Sequence, residues 1–125
     1  MGDTHRLSRT LNHRGLNSLA LGDPVGAEND FHAALNLAYE GGFTPATLNA
    51  LMGLATLEAQ QVASEETLEL VLYILQHPSS AQETKNLAAR LQMELATKLP
   101  QSEIESTQQR VTSKNLDEVV RTFLI

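Results

Sequence analysis

Small residues at helical spacing on both sides of a chain break restrict this chain more than any other feature. Residues 15–34 read Gly-Leu-Asn-Ser-Leu-Ala-Leu-Gly-Asp-Pro-Val-Gly-Ala-Glu-Asn-Asp-Phe-His-Ala-Ala. Gly15 precedes the break at Gly22-Asp23-Pro24, and Ala27 and Ala34 follow it. Small side chains let two helices approach closely, and Phe31 is placed to fill the gap they leave. The segment predicts a helical hairpin built to stack on copies of itself. Such stacks work as binding surfaces rather than catalysts, so the pattern points to a class of function and names no partner.

The 125-residue length allows about one domain with a real core. Aromatics are few, with no Trp, two Tyr and three Phe, while Leu and Ala dominate, as suits close-packed helices. A net charge of −6 with mixed signs argues against broad nucleic-acid affinity, which needs clustered Lys and Arg. Without cysteine there is no disulfide framework, thiolate zinc site or cysteine nucleophile. The longest apolar run, Leu70 to Leu75, falls far short of the ~20 residues a membrane span needs, and no apolar signal core follows Met1. The expectation is a soluble, cytoplasmic, all-α domain.

Seven helices and no strands are predicted. The first spans residues 4–21, with Leu7, Leu11 and Leu19 on its apolar side, and stops at Gly22. Asp23 caps the second and Pro24 opens it; Ala27, Phe31, Ala34, Leu35 and Ala38 form its buried face. Gly41-Gly42 ends it. Thr44 is expected to cap the third helix, with Phe43 and Leu48 as a hydrophobic staple. Ser64 caps a fourth, apolar nearly all round and expected to be the most buried. Capping boxes are expected at Ser80 with Glu83 for a fifth helix and at Ser102 with Glu105 for a sixth. Asn115 with Glu118 starts a short seventh, whose Leu116, Val119, Val120, Phe123 and Leu124 read as a docking plug.

Gly15-Leu16 and Gly53-Leu54 correspond, 38 residues apart, and each pair precedes a second apolar helix. In the second copy Thr67, Val71 and Ile74 replace Ala27, Phe31 and Ala34. On Leu11, Gly15, Gly22, Ala27, Phe31 and Ala34 the chain resembles a tetratricopeptide repeat protein. Pro24 stands where the family favours an aromatic residue late in the turn. The resemblance implies antiparallel hairpins stacked as a short right-handed solenoid: repeat 1 over residues 4–42, a degenerate repeat 2 over 43–78, and C-terminal capping helices over 79–125. The longer spacing and Leu- and Ala-rich second copy look similar to the C-terminal ends of long bacterial repeat arrays, which often follow a signalling or transcription-regulator module. The resemblance therefore implies a protein-interaction scaffold, with a protein, a peptide or another part of a parent chain as partner. Some members hold a peptide carboxylate with Lys, Asn and Arg from two repeats. Here those positions carry Arg9, Asn12, His13, Leu16 and Leu19, then Thr47, Ala50, Leu51 and Leu54, which lack the two-repeat clamp.

The expected partner-binding residues are Arg9, Asn12, Leu16 and Leu19 in the first helix, with Ala50 and Leu54 beside them. The competing reading of Leu16, Leu19, Ala50, Leu54 and Leu57 is packing between repeats, which the architecture requires anyway. Arg6, Arg9, His13 and Arg14 form a basic cluster that could meet an acidic partner or a phosphate; the simpler reading is a solvated helix face. His5, His13, His32 and His77 include no i, i+4 pair, and Asp30 and His32 point to different helix faces, so no metal site is expected. Glu65, Glu66 and Glu69 suit a positively charged first helical turn. Gly41-Gly42 follows a helix and is no phosphate loop. No cofactor or catalytic activity is expected. Two rival readings remain: a terminal cap or homodimer formed through residues 116–125, and nucleic-acid binding through the first helix.

Overall fold

The computed structural model describes residues 2–111 and 114–123. Among them the chain forms seven helices and no strand: α1 Gly2–Ala20, α2 Pro24–Glu40, α3 Thr44–Gln61, α4 Glu65–Gln76, α5 Gln82–Ala96, α6 Gln101–Val111 and α7 Leu116–Arg121. The first turn forms as its chemistry requires. Gly22 takes the left-handed conformation at φ 81°, Asp23 accepts the Gly26 amide, and Pro24 opens α2, where no N–H is needed. Gly42 at φ 73° repeats the device after α2.

Successive helices pack along the chain from α1 to α5, and next-but-one pairs pack as well: α1 with α3, α3 with α5, α4 with α6. The core runs through this stack, from Ala27, Phe31 and Leu35 through Leu48, Leu51 and Met52 to Leu68, Val71, Ile74 and Leu95. Phe31 is its pivot. An added Cβ at Gly15 would sit 2.6 Å from Phe31 Cε1, and one at Gly53 closer still. One fully buried ring is thus gripped between two glycines on different helices, and its burial contributes roughly 2–3 kcal/mol. The fourth helix buries seven of its twelve residues, the largest share of any helix.

Several caps differ from expectation. Phe43, not Thr44, caps α3, and its carbonyl accepts both the amide and the hydroxyl of Thr47. Its ring lies 4.7 Å from the His5 ring of α1, so the residue ties α3 to α1. Ser80 does not cap α5, which starts after Ala81. Its hydroxyl instead donates to the Ile74 carbonyl at 2.7 Å, adding to the longer bond of 3.3 Å that this carbonyl accepts from the His77 amide at the end of α4. Ser102 lies inside α6, because the Glu103 and Ile104 amides both reach the Pro100 carbonyl. Ser64 and Asn115 cap α4 and α7 as their sequences suggest. Leu7 was expected on the apolar side of α1 but is half exposed. The α7 segment docks within the chain: Val119 and Val120 join the core, and the Tyr39 hydroxyl of α2 donates to Asp117. Leu124 and Ile125 of the expected plug lie outside the described residues.

Candidate functional site

The packing of α1, α3 and α5 makes one wall of the molecule, and two open depressions follow it. The first, about 140 Å³, lies between His5 and Arg9 of α1, Pro45, Ala46 and Asn49 of α3, and Glu83 and Thr84 of α5. The second, about 340 Å³, separates Thr56, Ala59 and Gln60 on α3 from Leu87, Arg90, Leu91 and Glu94 on α5 and Lys98 just past its end. Leu87 and Leu91 share a stripe at i, i+4, so the floor is apolar. Arg90, Glu94 and Lys98 follow each other at the same spacing along its rim. Among the described residues Arg9, Arg90 and Lys98 have no ion-pair partner, and their charge is open to a ligand.

The six expected contact residues divide. Arg9 is exposed and borders the first depression. Leu16 and Leu19 are half-buried and pack against the core. Asn12, Ala50 and Leu54, expected to meet a partner, are buried in this structure, and Leu54 also lines the cavity beside Phe123. α1 and α3 press on each other and on α2, and these side chains fill the contact. The α5 residues that complete the wall were missed, because the repeat motif fades after residue 79; the polar i, i+4 series at Arg90, Glu94 and Lys98 was the available signal. The basic cluster of α1 is not one patch. Arg14 turns to the opposite flank from Arg9 and holds Asp30 with two hydrogen bonds, of 2.9 and 2.7 Å. That guanidinium keeps the Asp30 carboxyl below the usual carboxylate range, against the opposing pull of burial.

A second recess lies behind the wall, where the end of α7 meets α2, α3 and α4. Phe123 stands between cavities of about 130 and 350 Å³, and Glu58 borders both. Desolvation raises the Glu58 pKa, the hydrogen bond from the Thr67 hydroxyl at 3.0 Å opposes this, and the charge of Glu66 adds to the rise. Lys114 meets Glu69 at 2.9 Å, and Arg110 bridges Glu65 and Glu69. These carboxylates serve the packing of α6 and α7 onto α4. Among the described residues no group of three or more His, Asp or Glu could hold a metal ion. His5 and His77 face the rings of Phe43 and Tyr73, while His32 lies 3.8 Å from Glu28. Among the described residues, no helix is long and apolar enough to cross a membrane. Comparison with protein-family models, curated proteins and solved structures finds no match.

Proposed function

We propose that this chain is a helical-repeat binding module of tetratricopeptide type, with the α1/α3/α5 wall as its ligand surface. The observation that supports this reading most is the gripping of Phe31 by Gly15 and Gly53. Corresponding positions of two sequence copies are used for the same close approach. Next-but-one packing of α1 with α3 and of α3 with α5 then aligns alternate helices into a continuous face. A preformed face loses little ordering entropy on binding, and a mixed apolar and basic trough suits an acidic, partly apolar peptide or protein segment. In this reading the chain acts in the cytoplasm and is a scaffold rather than an enzyme, either alone or as the terminal part of a larger bacterial regulatory protein.

The test is selection from a displayed random-peptide library on the intact chain, followed by amide chemical-shift mapping. Acidic–apolar peptides should be enriched and should shift residues of α3 and α5. Arg90→Glu should weaken them at least tenfold without changing the melting temperature. Peptides that shift only residues outside the wall, or that bind Arg90→Glu equally well, refute the assignment. The rival reading, a cap or dimer formed through residues 116–125, has less support, since Val119 and Val120 are spent on the chain's own core.

A further inference from the structure

The side of the α1–α2 hairpin turned away from α3 carries four matched rungs. The Arg14–Asp30 ion pair sets the level of α1 against α2, and the helical repeat then places the other residues. Leu7 lies opposite Leu37, Leu11 opposite Ala33, Arg14 opposite Asp30, and Ser18 opposite Gly26. Leu7 is 50% exposed, and Leu11, Ala33, Leu37, Ser18 and Gly26 are only half-buried. Just past the last rung Leu21 is 85% exposed. The face is thus apolar, small at one end, and charged at its centre.

The inner copy of the same hairpin shows what a stacking face looks like here. Shifted by the 38 residues that separate Gly15 from Gly53, Arg14 becomes Met52, and by the 40 that separate Phe31 from Val71, Asp30 becomes Leu70, both buried. Another hairpin of the internal kind laid on the outer face would cover Arg14 and Asp30 with apolar atoms. The Arg14 guanidinium, 67% exposed, would be desolvated with no new partner. The outer face suits a different occupant.

The geometry points to a second copy of this chain. A two-fold axis parallel to the helices lays α1 of one copy on α2 of the other at unchanged levels. Leu7 then meets Leu37 of the other copy, Leu11 meets Ala33, and Ser18 meets Gly26. At the centre Arg14 lies over Asp30 of the other copy, so each guanidinium serves two carboxylates. Large side chains face small ones at the second rung, and opposite charges face each other at the third. The result is a four-helix bundle of two hairpins with isologous contacts. Each helix runs ~26 Å and is ~10 Å wide, giving a footprint of roughly 500 Å² per copy and ~1,000 Å² in all. That is the lower edge of specific interfaces, so the dimer dissociates in the micromolar range. The arrangement leaves the α1/α3/α5 wall free and does not depend on the binding function proposed for it.

Sedimentation of the intact chain from about 1 µM to about 1 mM tests this. The weight-average mass should climb from 13.7 kDa toward twice that value. Leu7→Glu should raise the midpoint concentration at least tenfold with the melting temperature unchanged. Val25→Glu, at a 68% exposed site on another flank of α2, should leave it alone. A double exchange of Arg14→Asp with Asp30→Arg keeps the intrachain pair but sets like charges against a wild-type copy. Mass-tagged mixtures should then contain both homodimers and no mixed dimer. A monomer at every concentration overturns the proposal. So does a dimer that Leu7→Glu leaves intact, or free mixing of wild type with a folded double exchange.

Discussion

Gly53→Ala should destabilise this protein, against the ordinary rule for helix interiors. At an unconstrained helical site the change stabilises by roughly 1 kcal/mol, through helix propensity and a less flexible unfolded chain. At Gly53 the new methyl carbon would meet Cε1, Cδ1 and Cζ of Phe31, all inside 3.0 Å. The ring has nowhere to retreat, because the backbone of Gly15 confines its same edge and no part of it reaches solvent. With helix backbone on both sides, overpacking falls toward the upper end of its range, about 3 kcal/mol. The net loss is then about 2 kcal/mol, or a fall of roughly 6–10 °C in melting temperature for a chain of this size. Phe31→Val removes Cδ1, Cε1 and Cζ together, so in that background Gly53→Ala should cost nothing or gain up to about 1 kcal/mol. Thermal and urea melts of the four proteins close the cycle, with an expected coupling of at least about 2 kcal/mol. A higher melting temperature for Gly53→Ala in the wild-type background would refute the reasoning. So would additivity within about 0.5 kcal/mol.

Three further outcomes follow from single side chains. The depressed Asp30 pKa makes the ion pair stabilising above the unfolded carboxylate range, and that contribution disappears as pH falls through the lowered folded value. Arg14→Gln should therefore lower the melting temperature at pH 7 and approach wild type at pH ~2, as melts across that range would show. Glu58 has the opposite sign: its raised pKa means the folded chain binds its proton more tightly, so stability falls as pH rises through the folded value. Glu58→Gln keeps an acceptor for Thr67 and should raise the melting temperature at pH 7 with no gain at pH ~4. Ser80→Ala leaves the Ile74 carbonyl with only the long bond from the His77 amide and should cost about 1 kcal/mol. Amide exchange should then quicken at the end of α4 while the first amides of α5 keep their protection, since Ala81 and not Ser80 precedes that helix.

Helix number and the first hairpin were legible because their signals are local. Gly22, Asp23 and Pro24 each act on their own backbone, and the Phe31 stripe needs only a 3.6-residue period. Where two signals competed, the sequence could not arbitrate. Ser80-x-x-Glu83 has the form of a capping box, yet the Ile74 carbonyl at the end of α4 holds only a long bond from the His77 amide, and the hydroxyl went there. Ser102 lost to Pro100, whose ring already holds the φ a helix start requires and whose carbonyl accepts two amides. Phe43 was read as a staple partner for Leu48, but α1 brought His5 within ring-contact distance, a relation across 38 positions that no local pattern encodes.

The contact surface was harder to read for a geometric reason. A helix between two neighbours buries more than a single stripe, and α3 touches α1, α2, α4 and α5. Its apolar residues therefore run nearly all round, and periodicity cannot say which of them face a groove and which a helix. Leu54 and Ala50 fit a groove position in the motif, yet they sit in the core because α2 and α1 close over them. The residues left open are polar ones between two packed helices, such as Thr56 and Gln60 across from Arg90 and Lys98. Polar side chains on a helix flank look like ordinary solvated surface until a second helix is set beside them. The same logic separates the two ends of the hairpin. Met52 and Arg14 hold the same place in two copies of one motif, and only what lies against each makes one a core residue and the other a charge facing outward. A substitution that carries Met into position 14 and Leu into position 30 should therefore convert the outer face into the inner kind. It would lose the paired charges that select a second copy in one register and gain an unspecific apolar surface, seen as aggregation at concentrations where the wild type forms only dimers.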